Sequence, residues 1–135
     1  MTGNGSKPTE MARHQVLVVE DDPMIRRLIV DVLTSRNEAE CTEAATVSEA
    51  IERLDEGPYE AVVLDVLLRG GGAKKVYAHL DEGGDSLAKR IVFVTGLIET
   101  PEVEKICEIT GNILLRKPFY LDDLAGAVKT VLARK

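Results

Sequence analysis

Short apolar runs alternate with segments of helical periodicity along the chain, and this alternation constrains the fold more than any other feature. The apolar runs lie at residues 15–22, 39–44, 59–65, 90–96 and 112–118. Between them, apolar residues recur every three or four positions, which is the period of an amphipathic helix. Strand and helix patterns that alternate in this way predict an α/β domain, with a parallel sheet covered by helices on both faces.

Local signals mark where several helices begin. Pro23 follows Asp22, which predicts an N-cap followed by proline at the first helical position. The segment "TVSE" at 46–49 fits a capping box, and Thr100 with Pro101 opens a further helix. A short helix is predicted at 73–80. The apolar positions predicted to face inward are Ile25, Leu28, Ile29, Val32, Leu33, Ala50, Ile51, Leu54, Val103, Ile106, Ile109, Leu121, Leu124, Val128, Val131 and Leu132.

Length and composition fit one soluble domain. The chain has 135 residues, is 44% hydrophobic and carries a formal net charge of −6. Because nucleic-acid binding relies on clustered Lys and Arg and no basic block stands out, the sequence predicts no nucleic-acid partner. Cys41 and Cys107 are too few for a disulfide framework and are interpreted as buried free thiols.

The N-terminal segment and the lack of a long apolar run bear on location. Residues 1–14 contain no apolar run like that of a signal peptide and are predicted to form a disordered tail before a domain at 15–135. No stretch reaches the roughly 18 apolar residues of a membrane span. The expectation is therefore a cytoplasmic protein without a membrane partner.

Polar residues follow the predicted strands where the strands end. In a parallel sheet these carboxyl ends meet at one edge, which is where α/β proteins bind ligands. A solvated loop explains any one of these residues, but the combination over four strands favours a site. The residues are Glu20, Asp21 and Asp22 after the first strand, Asp65 after the third, Thr95 after the fourth and Lys117 after the fifth.

This set of residue types suits phosphoryl chemistry. Converging carboxylates repel one another unless a cation lies among them, and oxygen ligands at an open edge favour Mg²⁺. An ammonium and a hydroxyl, here Lys117 and Thr95, can bind phosphoryl oxygens. Asp65, at the end of the most apolar strand, is then the candidate nucleophile, because aspartate can form an acyl phosphate. Asp21 and Asp22 are the candidate metal ligands.

The motifs "VVEDDP", "VVLD", "VFVTG" and "RKPF" resemble the receiver domain of two-component response regulators, over residues 16–134. The resemblance implies a flavodoxin-like sheet of strand order 2-1-3-4-5. It also implies that Asp65 is a phosphoacceptor, with Thr95 and Lys117 as switch residues and a cis Lys117–Pro118 bond. The implied Mg²⁺ ligands are Asp65, Asp22 directly, Asp21 partly through water, and the backbone carbonyl of Leu67.

The resemblance further implies a signalling protein in a phosphorelay rather than an enzyme, one that catalyses only its own phosphotransfer and autodephosphorylation. Its implied partners are a histidine kinase or histidine phosphotransfer protein and a downstream protein target, with the domain a monomer or weak dimer. Where the family often has alanine and an aromatic residue, this chain has Gly96 and Leu114. We therefore expect the output response in the loop from Gly96 to Thr100, with Leu97 and Ile98, and Leu114 as passive packing.

Other readings of the sequence remain open. "GGGAKK" at 70–75 suggests a phosphate-binding loop, but Val76 stands where a P-loop needs Ser or Thr. Dehalogenase-like phosphatases need a second aspartate where Leu67 stands, and a flavodoxin-like cofactor domain would place phosphate against the acids after the first strand. A receiver-like interaction module, either cut from a hybrid kinase or a pseudo-receiver, is the main alternative.

Overall fold

The computed structural model describes residues 13–68, 72–96 and 100–134. The strands are β1 (His14–Val19), β2 (Ala39–Ala44), β3 (Ala61–Asp65), β4 (Ile91–Thr95) and β5 (Ile113–Arg116). The helices are α1 (Pro23–Arg36), α2 (Val47–Glu56), α3 (Gly72–Glu82), α4 (Pro101–Thr110) and α5 (Leu121–Leu132). A 3₁₀ helix at Ser86–Lys89 precedes β4.

The strands form one parallel sheet in the order β2-β1-β3-β4-β5, which confirms the predicted order. β1 begins at His14, the last residue of the predicted tail, and residues 1–12 lie outside the described part of the chain. β1 ends at Val19, so the acids that follow it occupy the loop at the carboxyl edge.

Side chains alternate between the two faces of the sheet and build two apolar layers. On one face, Leu17, Leu64 and Phe93 pack with residues of α2, α3 and α4. On the other, Val18 and Val63 pack with residues of α1 and α5. The central strand β3 is buried over its whole length, as its near-continuous apolar sequence predicts. A rigid, fully covered strand therefore supports Asp65.

Two positions predicted to face inward are exposed. Leu28 on α1 is 46% exposed and Ile109 on α4 is 74% exposed. α1 buries Ile29, Val32 and Leu33 instead. These residues form one apolar stripe along the helix, and Leu28 lies at the border of that stripe. In the part of the chain that the structure describes, no helix is long and apolar enough to cross a membrane.

The predicted capping box opens α2. The Thr46 hydroxyl accepts a hydrogen bond from the Glu49 backbone N–H at 3.1 Å. The Glu49 carboxylate accepts from the Ala45 N–H at 2.9 Å, one residue further back than the usual partner. Both cysteines are half-buried free thiols, and burial raises the pKa of Cys41 and of Cys107 to about 11.

The Asn112 side chain connects three segments at the amino end of the sheet. This buried amide accepts from the Ile91 N–H at 3.0 Å and donates to the Ala88 carbonyl at 2.7 Å. Because Asn before a strand is typical of an ordinary turn, this role could not be predicted from the residue type. The contact fixes where β4 and β5 begin relative to each other.

Replacing Asn112 with alanine should lower the free energy of unfolding by about 2–4 kcal/mol. The change leaves the Ile91 N–H and the Ala88 carbonyl buried without partners, each at a cost of about 1–3 kcal/mol, less some relaxation. Urea denaturation followed by circular dichroism measures the difference.

Gln15→Ala is the control, since it removes an exposed amide that donates to Glu40. Its effect should stay within about 0.5 kcal/mol. Equal effects for the two variants would show that the buried amide contributes nothing beyond an exposed one.

Candidate functional site

The carboxyl edge of the sheet gathers the polar residues expected there. Glu20 follows β1, Asp65 ends β3, Thr95 ends β4 and Lys117 follows β5. Three of these are nearly inaccessible: Glu20 is 1% exposed, Asp65 3% and Thr95 0%. Buried polar side chains at a sheet edge are costly unless they are paired, so their partners define the site.

Three carboxylates converge at the carboxyl edge of the sheet. One oxygen from each of Glu20, Asp21 and Asp65 lies within 4.8 Å of the other two. Asp21 is exposed and the other two are buried, so the group opens to solvent on one side. An oxygen-only set of this size suits a hard divalent cation such as Mg²⁺, which keeps several waters of its own. The residues present therefore fit the metal that the family implies.

Lys117 supplies the positive charge beside these acids. Its Nζ atom lies 3.0 Å from Glu20 Oε1 and 4.0 Å from Asp65 Oδ1. The lysine is closer to the glutamate, so Glu20 is its main partner in this structure. An ammonium that touches two carboxylates on different strands ties β5 to β1 and β3 at this edge.

The pKa of Glu20 is raised to about 7. Burial is the main cause, and the neighbouring charge of Asp65 acts in the same direction. The hydrogen bond from Lys117 and the one from the Asp22 N–H, at 3.2 Å, oppose this increase. Burial therefore disfavours the charged form of Glu20, and a cation nearby would stabilise that form.

The sequence predicts Asp21 and Asp22 as metal ligands, whereas the carboxylate group around Asp65 contains Glu20 and Asp21. The Asp22 carboxylate turns away to cap α1, where Oδ1 accepts from the Met24 N–H at 2.9 Å and from the Ile25 N–H at 3.4 Å. The predicted N-cap role is confirmed, while Asp22 is not among the residues that the structure groups around Asp65. Asp22 Oδ1 is therefore committed to the N–H groups at the start of α1.

The backbone around Asp65 and Lys117 is also hydrogen-bonded. The Leu67 N–H donates to Asp65 Oδ1 at 3.2 Å, and the side chain of Leu67 is 53% exposed. The Lys117 N–H donates to the Thr95 carbonyl at 2.7 Å, and the predicted cis Lys117–Pro118 bond is present. Because Thr95 and Lys117 share a backbone bond, the two proposed switch residues are held at neighbouring strand ends.

The predicted output residues fall into two groups. Gly96 is exposed, and a Cβ built on it would meet no atom within 4 Å, while Leu114 is half-buried against the layer of α2, α3 and α4. Leu97 and Ile98 lie outside the described residues.

Arg26 is a residue of the site that the sequence analysis missed. It donates from Nη1 to the Glu20 carbonyl at 2.9 Å and from Nε to Glu43 Oε1 at 2.8 Å. The guanidinium thus fixes the main chain at the end of β1 against β2. The signal available in the sequence was the position of Arg26, one helical turn after Asp22. The first turn of α1 lies above the end of β1, so a side chain at this position can reach that strand end.

The family model for the response regulator receiver domain matches residues 16–129. The chain belongs to this family. The receiver domain is 29% identical over 124 residues to the phosphate regulon transcriptional regulatory protein PhoB of Escherichia coli, covering 92% of this chain and 53% of that protein. It is 30% identical over 122 residues to the transcriptional regulatory protein TcrA of Mycobacterium tuberculosis, covering 89% and 46%. The chain therefore spans about half the length of these curated relatives.

Solved receiver structures share the fold. A response regulator from Chloroflexus aurantiacus is 26% identical, with a TM-score of 0.78 and coverage of 90% of this chain and 99% of that one. The receiver domain of the Francisella response regulator 1452 is 21% identical, with a TM-score of 0.78 and coverage of 89% and 97%. These matches confirm the flavodoxin-like receiver fold.

Asp22→Ala should lower the free energy of unfolding by about 1 kcal/mol, through loss of the α1 cap, yet keep the stabilisation by Mg²⁺. Asp21→Asn should lose that stabilisation, since its carboxylate lies in the cluster. Melting temperatures measured with and without Mg²⁺ compare the two. If Asp22→Ala removes the Mg²⁺ increment and Asp21→Asn keeps it, Asp22 rather than Asp21 holds the metal.

Proposed function

We propose that Asp65 accepts a phosphoryl group from a phosphohistidine of a histidine kinase or histidine phosphotransfer protein. The resulting acyl phosphate switches the surface that a downstream protein binds. One observation carries this proposal: in a member of the receiver family, the buried carboxylate at the end of the central strand lies beside a lysine and two further acids.

The proposed transfer is a direct displacement at phosphorus. A carboxylate oxygen of Asp65 forms a bond to phosphorus while the phosphorus–nitrogen bond of the phosphohistidine breaks, and the imidazole leaves with the bonding electron pair. Asp65 is held by β3 below it and by the Leu67 N–H, so little of its motion has to be frozen during transfer. The domain contributes mainly position and charge.

Mg²⁺ is the proposed cofactor, held by Asp21 and Asp65 with Glu20 close by, and the family resemblance adds the Leu67 carbonyl. When bound, the ion reduces the repulsion between the Asp65 carboxylate and the incoming phosphoryl oxygens. Glu20 substitutes for Asp22 in this proposal because it lies in the carboxylate group and Asp22 caps α1.

Lys117 and Thr95 are the proposed partners of the phosphoryl group. The lysine already lies 4.0 Å from Asp65, so its ammonium can move from Glu20 to a phosphoryl oxygen without leaving the site. The Thr95 hydroxyl, at the end of the neighbouring strand, can donate to a second oxygen. The proposed output surface is the segment from Gly96 to the start of α4, with Leu97 and Ile98 included and Leu114 as passive packing.

An interaction module that works without phosphorylation is the alternative. Such a module would not need a lysine close to the buried Asp65. Nor would it need a second buried carboxylate, Glu20, beside that lysine. The presence of this costly buried arrangement favours the phosphoacceptor.

Asp65→Asn should abolish phosphorylation by a small phosphodonor in the presence of Mg²⁺, because an amide is not a competent nucleophile for this transfer. Intact-mass spectrometry should show one added phosphoryl group on the wild type and none on the variant. Asp123→Asn, an exposed acid at the start of α5, should label like the wild type. Undiminished labelling of Asp65→Asn would place the acceptor elsewhere.

Lys117→Ala should still be phosphorylated, more slowly, but should lose the conformational response. It should also be less stable, because Glu20 then stays buried without its cation. Amide spectra recorded with and without beryllofluoride, a phosphoryl mimic, test the response. Lys129→Ala on the exposed face of α5 is the control, and a wild-type pattern of shifts in Lys117→Ala would remove the lysine from the switch.

A further inference from the structure

The Glu104 carboxylate on α4 joins two chain segments that are distant in sequence. Its Oε2 atom accepts from the Thr100 N–H at 3.0 Å, from the Thr100 hydroxyl at 3.4 Å and from Arg116 Nη2 at 3.1 Å. Thr100 precedes α4 and is nearly buried, while Arg116 is the last residue of β5. One oxygen atom therefore fixes the start of α4 to the carboxyl end of β5.

Both partners of Glu104 are close in sequence to the proposed switch residues, Thr95 and Lys117. Arg116 immediately precedes Lys117 and pairs in register with Thr95 across the sheet. Thr100 follows Thr95 by five positions in sequence, and residues 97–99 between them lie outside the described part of the chain. A displacement of Lys117 would therefore act on Arg116 directly, and a displacement of Thr95 would act on Arg116 through the strand pairing.

The electrostatics favour a charged, directional contact. The pKa of Glu104 is lowered, first by the Thr100 N–H and then by Arg116, so the carboxylate is ionised at neutral pH. Charge-assisted hydrogen bonds are stronger than neutral ones, although side chains that are 44% and 42% exposed reduce the gain. The contact is thus strong enough to bias a conformational equilibrium and weak enough to be released.

A second acid on α4 provides a contrast. Glu102 lies in the same first turn and pairs with Lys74 at the start of α3. That ion pair connects two helices and does not include any residue next to Thr95 or Lys117. Of these two acids, Glu104 is the one bonded to a neighbour of Lys117.

We propose that Glu104 is a positioning residue that holds the start of α4 on β5 while Asp65 is unphosphorylated, and that its bond to Arg116 is released when Lys117 and Thr95 engage the phosphoryl group. This inference rests on the proposed function and assigns the coupling to one side chain. Release of the bond frees the N-terminal turn of α4 to change its position for a partner.

The proposal predicts the direction in which loss of the Glu104 contact changes affinity at the phosphoryl site. A contact made only in the unphosphorylated arrangement opposes the switch, so its removal should favour the phosphoryl-bound state. Glu104→Gln should therefore bind beryllofluoride, in the presence of Mg²⁺, about two- to tenfold more tightly than the wild type, the factor expected from one modest hydrogen bond. Titration followed by amide spectra gives the affinity.

Glu102→Gln is the matched control, because it removes an equal charge from the same helical turn. It should bind beryllofluoride as the wild type does. Arg116→Gln removes the charged bond from its other partner and should also tighten beryllofluoride binding, whereas loss of a positive charge alone would weaken the binding of this anion. Melting temperatures establish that each variant is folded.

Affinity of Glu104→Gln equal to that of the wild type, or weaker, overturns the proposal. So does an equal increase in Glu102→Gln, because the effect would then come from charge alone. A wild type that neither binds beryllofluoride nor becomes phosphorylated at Asp65 would overturn the proposed function itself, and with it the role of Glu104. The two failures are therefore distinguishable.

Discussion

The balance of charge at the carboxyl edge of the sheet is the constraint on which the rest of the site depends. Glu20 and Asp65 are almost completely buried on neighbouring strands, and one ammonium, Lys117, lies within 4.0 Å of both. Two buried carboxylates cannot both stay ionised at such close range without compensation. The burial of Glu20 raises its pKa toward neutrality even with the lysine present. Among the residues that the structure describes, three carboxylates of this edge lie together with one ammonium beside them, which makes the edge receptive to a further cation.

The periodicity of the sequence predicts most of the fold, because parallel strands buried on both faces must be near-continuously apolar. This holds for β3 and β4, which the structure buries at every position. The same reasoning is less successful at helix borders, where Leu28 and Ile109 are exposed. An apolar residue beside the buried stripe has the right spacing, and only the neighbouring elements decide whether anything covers it. The Asn112 contacts could not be predicted either, since they join segments brought together by the whole topology.

In the candidate site, the same limit of sequence-based prediction applies to individual residues. Three successive acids follow β1, and residue type alone cannot distinguish them. The Glu20 N–H bonds to the Ala44 carbonyl, which extends the ladder of β1 and β2 and turns the glutamate toward the buried edge. Asp22 precedes Pro23 and so lies where a helix cap is needed, a signal that was available in the sequence and competes with a metal-binding role. Of the two functions predicted for Asp22, the cap of the helix is the one that the structure confirms.

The backbone bond from Lys117 to the Thr95 carbonyl restricts how this edge can respond to any ligand. At 2.7 Å it holds the two strand ends in register, so the main chain at Lys117 cannot withdraw without breaking a buried contact. The mobile part is then the flexible methylene stem of the lysine, whose ammonium is only 1.0 Å farther from Asp65 than from Glu20. A rearrangement confined to one side chain needs few bonds to rotate and exposes little apolar surface. Exchange of partners at this lysine should therefore be fast compared with any motion of whole helices.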